Sequence, residues 1–208
     1  MAQEINVEKL SLGPLETNCY IVGDENECII IDPGATEDVV IDAVGDRKVL
    51  YILLTHSHYD HIGAVPMLRE KYGSTLGCSE KCSELIQGEH SNLSIFIGDP
   101  MKLKKADTIL TEGDTVDIAG NKLSVLETEG HCRGSLSFII DKWIFTGDLI
   151  FYESIGRTDF PGGDLDMLKR SVREKVFTLG DEMIICSGHG PMTTVVHEKE
   201  NNIFLMDG

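Results

Sequence analysis

Apolar, mostly β-branched runs recur along the chain and break off at polar punctuation: "CIIIDPG" (28–34), "VLYILLTHSHYDH" (49–61), "KLSVLETEGH" (122–131), "SLSFIID" (135–141), "KWIFTGD" (142–148) and "EMIICSGHG" (182–190). Short continuous runs bounded by turn residues predict strands, several of them covered on both faces. Helical spacing fills the gaps. "GAVPMLREKYG" sets Val65, Leu68 and Tyr72 on one face, with Pro66 tolerated in the first turn. "DLDMLKRSVREKVFTLG" does the same with Leu165, Leu168, Val172, Val176 and Leu179, and Gly180 is a suitable stop. Interleaved strands and helices predict an α/β sandwich. A length of 208 residues suits one domain, 1–208, with one substantial core.

Four of the predicted strands run into loops that carry histidine or aspartate: His56 to His61, His131, Asp148 and His189. In layered α/β folds ligands gather at the carboxyl ends of strands, so four such loops can converge on one point. The densest is "HSHYDH" (56–61), which holds three of the chain's seven histidines. His56 and His58, two apart, leave an extended loop on the same side, while Asp60 and His61 can turn toward a second point. Three imidazoles beside a carboxylate compete or repel unless a cation organises them, and nitrogen and oxygen donors at this spacing suit a borderline divalent ion. Five histidines (56, 58, 61, 131 and 189) and two aspartates (60 and 148) would serve two ions with three terminal ligands each and one shared carboxylate. His90 and His197 belong to no cluster and read as ordinary surface or core residues. Cys132 adjoins His131, but neighbours in a strand face opposite ways.

Charge narrows the partners. The formal net charge is −17, with no basic stripe, which disfavours nucleic acid and anionic membranes alike and leaves a small-molecule substrate in a locally positive pocket. The six cysteines fit buried, reduced residues, and Cys78 and Cys82 have no second pair at zinc-finger spacing. The N-terminal stretch "MAQEINVEKLSLG" has no apolar core of a secretory leader, and apolar runs stay far below membrane-spanning length, so a cytoplasmic protein is expected. Oligomeric state is left open.

"THSHYDH" resembles the T-H-x-H-x-D-H signature of the metallo-β-lactamase fold superfamily, and "GH" (130–131), "GD" (147–148) and "GHG" (188–190) resemble its remaining ligand motifs in order. The resemblance begins at "LETNCYIVG" (15–23) and spans nearly the whole chain. It implies a four-layer αβ/βα sandwich in one domain, with a dinuclear site between two similar halves. It also implies that His56, His58 and His131 hold one metal, that Asp60, His61 and His189 hold the other, and that Asp148 bridges them. Zinc is expected first, with iron or manganese also accepted by such a donor set. "SIGRTDFPGGD" (154–164) and "SGHGPMTTVVHEKENNIF" (187–204) resemble the short, one-domain glyoxalase II branch, the hydroxyacylglutathione hydrolases. One departure is the loop "TEGHCRGS" (128–135), where Glu129, Cys132 and Arg133 are unusual neighbours of a ligand.

That resemblance implies hydrolysis of an S-2-hydroxyacylglutathione-type thioester by a metal-bridging hydroxide, with an acyl-thiol small molecule as substrate. A thiolate departs without a placed acid, whereas an amine needs one, which favours thioesters over amides. The expected catalytic residues are Asp60 and Asp148, which hold the metals, and Tyr59, which can donate to substrate; a packed aromatic is the plain alternative for Tyr59. Arg157 suits a fork onto a substrate carboxylate, or else an ion pair with Asp159 that braces the loop. Asp32 suits an orienting partner of a ligand histidine, or a plain Asp-Pro-Gly turn. Rival readings are a lactone or ester hydrolase and a persulfide dioxygenase with one iron on His56, His58 and Asp148.

Overall fold

A computed structural model describes residues 4–36 and 38–206. Residues 1–3, 37, 207 and 208 lie outside it, and with them both ends of the expected 1–208 domain and the first residues of the N-terminal stretch read as leaderless. One sheet runs in chain order: β1 (Asn6–Leu12), β2 (Thr17–Gly23), β3 (Glu27–Ile31), β4 (Lys48–Leu53), β5 (Thr75–Cys78) and β6 (Thr108–Ile109). It is antiparallel up to β3 and parallel beyond it. The second sheet contains β7 (Thr115–Ile118), β8 (Asn121–Glu127), β9 (Leu136–Ile140) and β10 (Trp143–Gly147). A small hairpin, β11 (Ile150–Phe151) and β12 (Ser154–Ile155), precedes its last members, β13 (Ile184–Ser187) and β14 (Thr193–Thr194). The order across this sheet is β14-β13-β10-β9-β8-β7, with β10 and β13 parallel.

Among the described residues the α-helices are α1 (Asp38–Val44), α2 (Tyr59–Ile62), α3 (Val65–Tyr72), α4 (Glu80–Leu85), α5 (Leu165–Ser171) and α6 (Val195–Asn201). Alternation within strands decides the layering, because successive side chains leave opposite faces. Ile29 and Ile31 of β3 join Phe138 and Phe145 between the sheets, while Ile30 packs outward with Val40 of α1 and Leu68 of α3. On the other sheet, Ile144 and Ile185 pack outward against Leu168 of α5 and Val195 of α6. Each such buried side chain contributes about 1.5–3 kcal/mol. The result is helix, sheet, sheet, helix: the four-layer, single-domain sandwich expected from the sequence.

All six predicted strands exist, each trimmed at its polar end, and the two predicted helices are α3 and α5. Pro66 does sit in the first turn of α3. The long stripe of α5 needs correction. Asp164 caps the helix through Met167 N (2.9 Å), α5 ends at Ser171, and one π turn (Val172–Val176) follows. Leu168, Val172 and Val176 are fully buried and Leu179 is half-buried, as the stripe predicts, but Leu165 is 44% exposed in the first turn. No described helix is long and apolar enough to cross a membrane.

Candidate metal centre

The chain that leaves β4 supplies four of the seven expected ligands. His56 lies in a bend after β4 and His58 in extended backbone at the N-terminal boundary of α2, with Thr55 and Ser57 buried beside them. That single helical turn carries Asp60 and His61, and so turns them away from the path of the first two. His131 follows β8, Asp148 follows β10 directly, and His189 lies just past β13. The two sheets are tied at this point. Asn18 N donates to Gly188 O (2.7 Å), while Asn18 Nδ2 and Tyr20 OH both donate to Ser187 O (2.9 and 2.7 Å).

All seven side chains converge. The ligand atoms of His56, His58 and His131 lie within 4.8 Å of one another, as do those of Asp60, His61 and His189, and each group can hold a metal ion. Asp148 stands between the groups. Its Oδ1 is 3.3 Å from His61 Nε2, and its Oδ2 is 3.7 Å from His131 Nε2 and 3.6 Å from His189 Nε2. Asp60 Oδ2 is 3.6 Å from His61 Nε2 and 3.3 Å from His189 Nε2.

The opposite nitrogens of four rings fix which atom faces the centre. His131 Nδ1 donates to Arg157 O (2.7 Å) and His189 Nδ1 to Leu15 O (3.0 Å). Carbonyls only accept, so in the neutral rings the proton sits on Nδ1 and a lone pair on Nε2 points inward. Asp32 does the same for His61 (Oδ2 to Nδ1, 2.9 Å). It also accepts from Thr55 N (2.8 Å) and Thr55 Oγ1 (2.5 Å), and that hydroxyl in turn accepts from His56 Nδ1 (3.0 Å). Asp32 thus orients two rings, and it does so from a left-handed backbone (φ 52°), a strained setting for a non-glycine residue. It also approaches His56 and His61 closely enough to form a metal-sized trio. Both its oxygens are already bonded, so it is a brace and not a donor to an ion.

The centre demands positive charge. His56 Nε2, His61 Nε2 and Asp148 Oδ1 are buried with no hydrogen-bond partner in the protein, an expensive arrangement that a cation relieves. Burial, with the nearby His61 and His58, holds His56 well below the ordinary imidazole range; burial and His131 push His58 down to about 3. Burial opposes a charge on His61 too, but Asp148, Asp60 and Asp32 outweigh it and raise that ring well above the ordinary value. His189 is raised for the same reasons, by Asp60 and Asp148. Burial disfavours the charge on Asp60 and Asp148, yet His61 beside them holds both down, Asp148 strongly. His56 therefore offers a lone pair to the centre, His58 Nδ1 and His131 Nε2 lie 2.9 Å apart, and the raised His61 and His189 favour a proton where a cation would sit. Gly188 makes room: a Cβ there would lie 2.1 Å from Asp148 Oδ1 and 2.7 Å from His61 Cε1.

The centre floors a cleft of about 780 Å³. Its walls are Leu15, Leu93, Phe96, Ile97, Phe160 and Pro161, with Tyr59, His90 and Arg157 between them. Tyr59 opens α2 half-buried, its N donating to Asn92 O (2.9 Å); burial and the charge of Asp60 raise its hydroxyl, so it remains a donor. Arg157 lines the cleft, but its fork goes to Asp159 (Nε–Oδ1 and Nη2–Oδ2, both 2.7 Å) and its guanidinium lies 3.8 Å from the Phe160 ring centroid. The bracing ion pair is the alternative that the structure contains. Cys132 Sγ lies 3.6 Å from Ser57 Oγ; it sits with His131 in the bend between β8 and β9 and not in a strand, so the strand alternation expected to part the two does not apply, and all six cysteines are buried free thiols.

Sequence reasoning missed several contributors. His90, read as ordinary, lines the cleft, whereas His197 bonds Glu153 (3.0 Å) away from it. Thr17, whose Oγ1 donates to Asp60 Oδ2 (3.3 Å), and the carbonyls of Leu15 and Arg157 carry no motif of their own. Only the two-sheet arrangement brings them to the ligands.

Comparison with known proteins agrees with this geometry. The family model described as Metallo-beta-lactamase superfamily matches residues 12–189. The Haemophilus influenzae protein named hydroxyacylglutathione hydrolase GloC is 35% identical, covering 97% of this chain and 98% of its own. A crystal structure titled BLEG-1 B3 metallo-beta-lactamase superposes with a TM-score of 0.92 at 34% identity, covering 97% of this chain and all of the other. TTHA1623, solved in a di-iron-bound form, gives a TM-score of 0.82 at 32% identity over 96% of this chain and all of that one.

Proposed function

The chain belongs to the metallo-β-lactamase superfamily and is a metal-dependent hydrolase, and from that premise we propose that it cleaves thioesters of the S-2-hydroxyacylglutathione type at a two-metal centre. The observation that carries the reading is Asp148, whose Oδ2 stands 3.7 Å from a nitrogen of one histidine group and 3.6 Å from a nitrogen of the other. On this reading His56, His58 and His131 hold one ion, Asp60, His61 and His189 hold the second, and Asp148 is shared. The relative solved with two irons supports iron beside zinc and manganese as occupants.

When bound, such ions lower the pKa of water to about 7 and polarise an acyl oxygen. The protein's part is orientation. Asp32, Thr55 and the carbonyls of Leu15 and Arg157 fix the rings, so that few degrees of freedom remain when substrate arrives. Tyr59, kept protonated, donates a hydrogen bond to the acyl group from the cleft wall. The leaving thiol has a pKa near 8.5 and departs without a dedicated acid, whereas a lactam or amide nitrogen requires one.

The assembled second group argues against a one-iron dioxygenase, for which Asp60, His61 and His189 would be superfluous. An ester or lactone is open to the same attack and is the second reading. The test is loss of thioester absorbance with S-D-lactoylglutathione, run beside an aryl ester, a lactone and a β-lactam. Preference for the thioester by tenfold or more in kcat/KM supports the proposal, and its reversal would transfer the assignment to the preferred class.

A further inference from the structure

The walls of the cleft carry more information than its floor, and what they indicate rests on the hydrolase reading above. Phe96 is 76% exposed, Ile97 49% and Leu15 48%, yet all three border the metal centre. Large apolar groups held in water next to a reactive centre are a binding surface awaiting an apolar group. They are not loose. Phe96 and Ile97 belong to a single 3-10 turn (Ser94–Ile97) entered through Leu93 in a left-handed conformation (φ 67°). Asn92, fully buried, anchors that turn: its Nδ2 donates to Met101 O (2.9 Å), its Oδ1 accepts from Ser94 N (3.0 Å), and its carbonyl accepts from Tyr59 N (2.9 Å). The apolar platform is thereby fastened to the same turn that carries Asp60 and His61.

Charge points the same way. Among the described residues lining the cleft the sole lysine or arginine is Arg157, and Asp159 cancels its charge through two 2.7 Å bonds. A glutathione conjugate carries two carboxylates and one ammonium, and apart from the metal centre on the floor, the walls of the cleft offer those carboxylates no lysine or arginine beyond the paired Arg157, in a chain of net charge −17. An anionic arm therefore gains little here, and an apolar arm gains the burial of Phe96, Ile97 and Leu15.

We infer that this site selects uncharged thioesters with an apolar arm that lies against Phe96, Ile97 and Leu15, and that Phe96 is a specificity-determining residue. Glutathione esters are then accepted through their acyl-sulfur group and not through their carrier.

The experiment compares acetyl and hexanoyl thioesters of N-acetylcysteamine, an uncharged thiol, with the same acyl groups on glutathione, in metal-reconstituted wild type, Phe96→Ala and Phe96→Asp. Calorimetric binding of S-hexyl-N-acetylcysteamine and S-hexylglutathione, which cannot be hydrolysed, runs beside it. We expect kcat/KM to rise about tenfold or more from acetyl to hexanoyl on the neutral carrier. Phe96→Ala removes most of that gain, Phe96→Asp removes all of it, and the neutral thioether binds more tightly than its glutathione counterpart. Glutathione esters outpacing neutral ones at both chain lengths, with Phe96→Ala without effect, would overturn the inference and leave the hydrolase reading standing. Absence of turnover on all four esters together with Phe96-dependent binding of the neutral thioether would overturn the hydrolase reading and sustain the cleft's preference.

Discussion

Asp32 Oδ2 lies 2.9 Å from His61 Nδ1, while the other nitrogen of that ring, also buried, has no hydrogen-bond partner in the protein. One carboxylate thus fixes the ring and its proton on the outer side and leaves the inner nitrogen for an ion. Asp32→Asn removes the anionic acceptor without removing a ligand. The expected outcome is a roughly 10- to 100-fold loss of metal affinity, read by competition with a chromophoric chelator, in a protein that still folds.

The carboxylates raise His61 and His189 above the ordinary imidazole range, so the half of the centre formed by Asp60, His61 and His189 favours protons in the absence of a metal. A metal that binds there must displace any such protons. Adding zinc to metal-free protein in weak buffer at pH 7 should release about one or two protons per chain, followed with an indicator dye, and apparent affinity should rise with pH. Uptake without proton release would contradict the raised values.

Gly188 has no room for a methyl group facing Asp148 and His61. Gly188→Ala should therefore damage the centre before the fold: metal affinity falls tenfold or more, while far-ultraviolet circular dichroism stays native. Native affinity in this variant would show that Asp148 has another position available.

Glu198 is fully buried on α6 and accepts from Thr193 Oγ1 (2.7 Å), Asn202 Nδ2 (2.7 Å) and Glu153 N (3.0 Å), which ties that helix to the β11–β12 hairpin. Glu198→Ala removes the acceptor shared by three donors: it strands the buried Thr193 Oγ1, leaves Asn202 Nδ2 with Ser154 O alone and frees the part-buried Glu153 N. The expected loss is about 3 kcal/mol or more, measured as a lower denaturant midpoint at unchanged slope.

The candidate ligands were legible in the sequence because each sits in a loop just beyond an apolar run, where strand periodicity stops. His56, His58, Asp60, His61, His131, Asp148 and His189 all converge as that pattern predicts. The sandwich was legible too, from runs such as "CIIID", whose alternate residues pack on opposite faces. What stayed hidden depends on distance along the chain. Leu15 and Arg157 act through carbonyls, Glu198 looks like any polar helix residue, and His90 and Phe96 reach the cleft from a segment with no clear periodicity. Strands β6 and β14, two residues each, are too short to show a period. Leu165 misled because it is the first residue of α5, next to the Asp164 cap, where a residue on the apolar stripe is left 44% exposed.

The central claim is that two ions act at one thioester-cleaving centre. Its most direct test is to strip the protein with chelator, return zinc or iron in steps, and follow thioester cleavage alongside bound metal, with Asp148→Asn in parallel. The account predicts activity that climbs to a plateau at two metal equivalents per chain and is lost by a factor of a hundred or more in the variant. Full activity at one equivalent, or no thioester cleaved at any loading, would contradict it.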